Sequence, residues 1–214
     1  AGGQRGLFAG GKDPGFTNTI MKVQIDTLGN AVDFGDLTVA RGETMPGTSN
    51  AHGGLKNEDI FFPRPSVTYM PGSGRGLLGG GKTNPAGTNQ NAIQMIHIQT
   101  LGNTSDFGDL TLASYGRSGC ASRTRGVFGG GYNDPAGYLN VIESIEFASQ
   151  GNAADFGNST VARAFSASNA GSQTRGIIGG GQVPGTTTAM AHITIASTGN
   201  AVDFGNLTAA TRKG

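Results

Sequence analysis

The apolar residues of this chain fall at strand spacing, and they do so in four copies. Counted back from each of four Gly-Asn pairs, the positions four and six residues earlier are Ile25 and Val23, Ile98 and Ile96, Phe147 and Ile145, and Ile195 and Ile193. The residues between them are Gln24, His97, Glu146 and Thr194. Such period-two alternation gives a strand one buried face and one wet face. A second kind of apolar position is continuous: Leu7-Phe8, Leu77-Leu78, Val127-Phe128 and Ile177-Ile178. A short continuous run suits a strand covered on both faces. A third strand is expected after each Asp-Phe-Gly, with Leu37 and Val39, Leu110 and Leu112, Val161, and Leu207 at its apolar positions. A fourth, weaker strand is expected in the Ser/Ala-rich stretch before each Arg-Gly, as in residues 164–173.

Two signatures frame these strands. Arg-Gly, two apolar residues and a glycine run occur at Arg5 to Gly11, Arg75 to Gly81, Arg125 to Gly131 and Arg175 to Gly181. Gly-Asn-x-x-Asp-Phe-Gly follows each time, beginning at Gly29, Gly102, Gly151 and Gly199. The Arg-Gly starts are 70, 50 and 50 residues apart, so the unit is about 50 residues and the first copy carries extra sequence between Gly42 and Gly74. One four-stranded sheet cannot bury both its faces, so units of this size must stack on one another. Radial stacking leaves only short, protected edges. The expected fold is therefore all-β, a β-propeller of four blades of about 50 residues with four strands each. It forms a single repeat domain over 1–214, with blades at about 1–41, 42–113, 114–163 and 164–214 and an insertion at 42–74. The chain begins and ends within a unit, so one option is that its termini meet in a shared blade and close a ring. The alternative is four blades of a larger parent.

Composition removes several classes of function. The 39 glycines among 214 residues follow no three-residue period, which excludes collagen and points to many tight turns. A net charge of +1 without a Lys/Arg cluster gives no field to attract nucleic acid. The apolar runs are too short to cross a bilayer as helices, so no membrane insertion is expected. Cys120 stands alone, which excludes an intrachain disulfide and paired-thiolate metal sites.

Several motifs resemble chemistry but have simpler readings. Asp-Phe-Gly is also a kinase signature, yet it occurs four times with no nucleotide loop or catalytic loop beside it. Its Asp33, Asp106, Asp155 and Asp203 are read as closing Asx-type turns. Gly81-Lys82-Thr83 lacks the spacing and the following helix of a phosphate loop. Asn103-Thr104-Ser105, Asn158-Ser159-Thr160 and Asn206-Leu207-Thr208 match the glycosylation acceptor but are read as turn chemistry. His52, His97 and His192 fall at unrelated points of the unit, which argues against a shared metal site. Cys120 is read as a small filler. The recurrent Arg5, Arg75, Arg125 and Arg175 either line one rim or pair within their own blade, the reading favoured here. No catalytic residue, cofactor or metal site is expected, and the chain is not read as an enzyme.

The insertion breaks the symmetry. Residues 52–69 carry charges, adjacent Phe61 and Phe62, and two prolines around Arg64. Exposed aromatics beside Arg and Tyr are the usual anchors of protein interfaces. Lys56, Asp59, Phe61, Phe62, Arg64 and Tyr69 are therefore the candidate partner-binding residues. The simpler reading makes residues 60–67 the outer strand of the second blade.

The glycine doublets Gly10-Gly11, Gly80-Gly81, Gly130-Gly131 and Gly180-Gly181 end an apolar strand and precede an alternating one, and in this the units resemble kelch repeats. Phe34, Phe107, Phe156 and Phe204 take the place where kelch blades carry Tyr and Trp. The near-identical units also look like kelch-like arrays in structural proteins of tailed bacteriophages of aquatic and cyanobacterial hosts. That resemblance implies a non-enzymatic virion component, a tail, fibre or capsid decoration, serving as an assembly or host-surface binding scaffold. Its partners would be other virion proteins or a host-surface glycan or protein, with a homo-oligomer among the options, and its location the virion. The alternative is a cellular or secreted carbohydrate- or protein-binding propeller, extracellular in location.

Overall fold

The structure, a computed structural model, describes residues 5–12, 14–25, 27, 29–42, 47–49, 74–83, 87–166 and 168–212. Among these the chain is all-β, built from four four-stranded antiparallel sheets and one small hairpin. The first sheet joins β1 (Arg5–Ala9), β2 (Thr17–Gln24) and β3 (Val32–Gly42) in order. The second runs β4 (Gly47–Ser49), β5 (Arg75–Gly79), β7 (Ala92–His97) and β8 (Ser105–Asp109), while β6 (Lys82–Thr83) leaves it to pair with β3 of the first sheet. The third is β9 (Ser118–Ala121), β10 (Arg125–Gly129), β13 (Val141–Glu146) and β14 (Ala154–Asn158). Between its second and third strands, β11 (Tyr132–Asn133) and β12 (Gly137–Tyr138) form the hairpin. The fourth sheet is β15 (Ser168–Gly171), β16 (Arg175–Gly179), β17 (Ala189–Thr194) and β18 (Val202–Asn206).

Each sheet carries the same register. The Arg-Gly strand pairs with the alternating strand from Arg5↔Gln24, Arg75↔His97, Arg125↔Glu146 and Arg175↔Thr194 onward. The weak strand before Arg-Gly exists where it was expected, as β15 within 164–173.

The third strand lies earlier than expected. In the last three copies it runs through Asp-Phe-Gly and ends at Asp109, Asn158 and Asn206, leaving Leu110, Leu112, Val161 and Leu207 beyond it. The glycine of the motif is what lets the strand pass through: Gly108 and Gly157 pair opposite Ile93 and Ile142, next to a β-bulge. In the first copy β3 continues to Gly42, because Arg41 and Gly42 find partners in β6.

The core lies between sheets, as it must for sheets that cannot bury both faces alone. Leu77, Ile93, Phe107 and Leu110 of the second copy close on Phe128, Ile145, Phe147 and Ala153 of the third. Val127, Ile142 and Phe156 of the third close on Ala191, Ile193, Ile195 and Ala201 of the fourth. Ile20, Phe34 and Leu37 of the first meet Ile96 of the second. The copies thus form a series in which each packs its forward face on the next one's rear face.

Candidate assembly interface

The two signatures meet at the joint between consecutive copies. The N–H of Gly102, Gly151 and Gly199 donates to the carbonyl of Phe34, Phe107 and Phe156 of the copy before, at 3.2, 3.0 and 2.7 Å. Two residues on, the N–H of Thr104, Ala153 and Ala201 donates to the carbonyl of Asp36, Asp109 and Asn158, at 3.0, 2.8 and 2.8 Å. The Asn between them completes the pattern. Its Oδ1 accepts from the backbone N–H of the same Asp or Asn, Asn103 from Asp36, Asn152 from Asp109 and Asn200 from Asn158, at 3.0, 3.0 and 2.9 Å. Each joint is therefore a short ladder of two backbone bonds and one amide bond, each worth about 1 kcal/mol net.

Three of the four recurrent arginines reach across this joint, where pairing within their own sheets was expected. Arg5 Nη1 donates to the carbonyls of Ile98 and Gln99, Arg75 Nη1 to Phe147, and Arg125 Nη1 to Ile195, each in the following copy. A guanidinium offers five donors on a long stem, so it can span the gap between sheets. Arg125 also pairs with Glu146 of its own sheet, at 2.8 Å. Among the described residues only Asp203 of the Asp-Phe-Gly motifs makes an Asx-type bond, its Oδ1 accepting from the Gly205 N–H at 3.4 Å, and it does so within β18 rather than in the turn expected. Asp33, Asp106 and Asp155 lie exposed in strands.

Polar side chains also reach across inside the joints. Gln94 bonds Thr38 and Thr104, and Glu143, one copy on, accepts from the Thr111 N–H at 2.7 Å and from its hydroxyl. Glu143 is fully buried and paired with the equally buried Arg117. Burial holds the Arg117 guanidinium below its ordinary pKa, against the opposing charge and hydrogen bond of Glu143. Arg41 and Arg163, also buried, donate to the carbonyls of Gly80 and Ala92 and of Gly180 and Ala189 in the following copy. Desolvation lowers both of their pKa values, and both stay protonated.

At the two ends of the series the same elements stand open. Phe34, Phe107 and Phe156 are each 3% exposed, whereas Phe204 is 43% exposed. On the rear face, Ile98, Phe147 and Ile195 are buried, and their counterpart Ile25 is 57% exposed. Phe8, expected to be covered on both sides, is 59% exposed because no sheet lies behind it among the described residues. Among the described residues no sheet joins strands of the first and last copies.

One other surface departs from the repeat. Tyr115, Tyr132, Tyr138 and Phe165 cluster with ring centroids 5.0 to 5.7 Å apart, partly exposed, where the second and third copies end. Lys82 Nζ sits 4.7 Å from the Tyr115 ring and 3.3 Å from Asp134. Phe165 is held at φ 51°, an uncommon conformation for a bulky residue. The cluster joins Tyr115 and Phe165, which share one station of the unit ten residues before Arg-Gly, to Tyr132 and Tyr138 of the hairpin. It does so through contacts such as the bridge Tyr115↔Tyr132 and the Phe165 N–H bond to the Gly116 carbonyl, which spacing alone does not reveal.

The expected partner-binding residues Lys56, Asp59, Phe61, Phe62, Arg64 and Tyr69 lie outside the described residues, as does His52. His97 is exposed and His192 lies against Phe204, ring centroids 5.7 Å apart, so the two described histidines do not share a site. Burial pushes the Cys120 thiol up to about 12, which removes its nucleophilic form at neutral pH. Among the described residues no group of three or more His, Cys, Asp or Glu is placed to hold a metal ion. No protein-family model matches the chain, and no curated protein is significantly similar to it.

Proposed function

We propose that the chain is a non-enzymatic structural component of a bacteriophage virion, a tail, fibre or capsid-decoration part whose kelch-like scaffold serves assembly or host-surface attachment. The observation that carries this reading is the repeated joint. Gly-Asn, Phe-Gly and Arg-Gly are all spent on fastening one copy to the next, the use a structural array makes of its recurrent residues. A propeller-like, radial arrangement is supported by the weak strands: β4 packs beside β9, and β9 beside β15, so one strand of each of these sheets converges on its neighbours. The virion assignment rests on the likeness of the units to phage repeat arrays. Mass spectrometry of purified particles tests it: the reading expects this chain in stoichiometric amount, and its absence from the particles refutes it.

A second reading, a cellular or secreted carbohydrate- or protein-binding protein, is favoured by the Tyr115, Tyr132, Tyr138 and Phe165 cluster. Aromatic rings with one apolar face and a polar tip are good binding anchors. Glycan-array binding that falls tenfold or more in Tyr132→Ala or Tyr138→Ala would support it, by about 1.4 kcal/mol or more. Binding unchanged in both variants removes it.

A further inference from the structure

We propose that the chain associates head to tail with a second copy of itself, the rear face of the first sheet of one molecule seating on the forward face of the last sheet of the other. The contact is a fourth instance of the internal joint, and it does not depend on the virion role.

The two open ends are the two halves of a joint that the molecule already makes three times. The head presents Gly29-Asn30-Ala31, the same triplet as Gly151-Asn152-Ala153 and Gly199-Asn200-Ala201 inside two of the joints. All three head residues are exposed, whereas Ala153 and Ala201 are buried. The tail presents Phe204-Gly205-Asn206, which repeats Phe156-Gly157-Asn158. The carbonyls of Phe204 and Asn206 stand where those of Phe156 and Asn158 accept from Gly199 and Ala201. Arg175, exposed at the tail, corresponds to Arg125, whose guanidinium bonds the Ile195 carbonyl of the next copy. The matching carbonyl at the head is that of Ile25.

Shape agrees with chemistry. A Cβ on Gly35, Gly108 or Gly157 would lie 2.4, 2.2 or 2.4 Å from the carbonyl oxygen of the next copy's Gly, whereas one on Gly205 would meet nothing within 4 Å. The tail thus leaves open the space that an arriving Gly29 carbonyl fills. Ile25 and Phe8 at the head and Phe204 at the tail supply the apolar surface that the internal joints bury. Head and tail differ, so the contact is heterologous: it extends the series or closes it into a ring after a whole number of copies.

Sedimentation equilibrium of the purified 214-residue chain, with two variants, tests the proposal. The wild-type chain is expected to gain mass with concentration in multiples of the monomer. Ile25→Lys and Phe204→Lys change exposed residues, so each should keep the wild-type circular dichroism spectrum while losing association by about a hundredfold or more. An equimolar mixture of the two should form a discrete one-to-one dimer, because the intact tail of one meets the intact head of the other. Asn30→Ala, a milder change, should weaken wild-type association about fivefold. A wild-type chain that stays monomeric to roughly 100 µM, where even weak specific contacts populate, overturns the proposal. So does association that survives in both lysine variants, or a mixture that stays monomeric.

Discussion

The carbonyl oxygen of Gly151 lies 2.2 Å from where a Cβ on Gly108 would stand. No side chain fits there, and φ at Gly108 is +152°, a backbone that L residues rarely adopt. Gly108→Ala should therefore open the joint between the second and third copies, at a cost of about 3 kcal/mol or more from overlap and strain together. Gly205, φ +114°, has the strain but no neighbour, so Gly205→Ala should cost only about 1 to 2 kcal/mol. Urea denaturation of the two variants at low protein concentration gives the comparison.

Glu143 and Arg117 form a fully buried pair in the same joint. Glu143→Gln leaves an acceptor for Thr111 but strips Arg117 of its counter-charge. The variant should lose about 3 to 5 kcal/mol, as buried pairs do when one partner is removed. Adding Arg117→Met removes the orphaned charge, and Gln94, which stands at this position one copy earlier and bonds Thr38, shows that an amide serves there. The double variant should recover most of the loss, a coupling that a double-mutant cycle reads directly.

Cys120 packs its Sγ where a Cβ on Gly176 would fall, 2.4 Å away, and burial raises its pKa to about 12. The folded chain holds the thiol proton more tightly than the unfolded one does, so this stabilising preference is complete below the ordinary thiol range of about 8.5. It declines as pH rises from there through 12, the direction required when the folded state binds more protons. Iodoacetamide should modify native Cys120 slowly at pH near 8 and faster in denaturant. Rapid native labelling at neutral pH would contradict the burial.

The copies and the alternating strand of each were legible from spacing alone, because period-two alternation is a local property. The third strand, by contrast, lies earlier than spacing placed it, and Phe8 and Ile25 stand exposed where no neighbouring copy among the described residues covers them. Ile98, Phe147 and Ile195 are buried as the alternation required. What spacing cannot show is which copy a recurrent residue reaches. Arg125 repeats in register whether it bonds its own sheet or the next one, and only the fold reveals that its carbonyl partner is Ile195. The Gly-Asn pair was visible as a marker, but its amide's role became visible only once Asn152 stood opposite Asp109. The Tyr115 cluster was hidden for a related reason: Tyr115 and Phe165 share one station of the unit, but only the fold brings them beside Tyr132 and Tyr138.

The series has three closed joints and two open ends. Phe156 and Phe204 occupy the same station of the motif, one 3% and the other 43% exposed. The most direct measurement is the unfolding free energy of Phe156→Ser and Phe204→Ser, taken on dilute, monomeric chain. Phe156→Ser should lose about 3 to 5 kcal/mol, the cost of emptying a core position. Phe204→Ser should stay within about 1 kcal/mol of wild type, as surface changes do. Equal, large losses in both would mean that the last sheet is covered by the first, and that the series closes on itself after all.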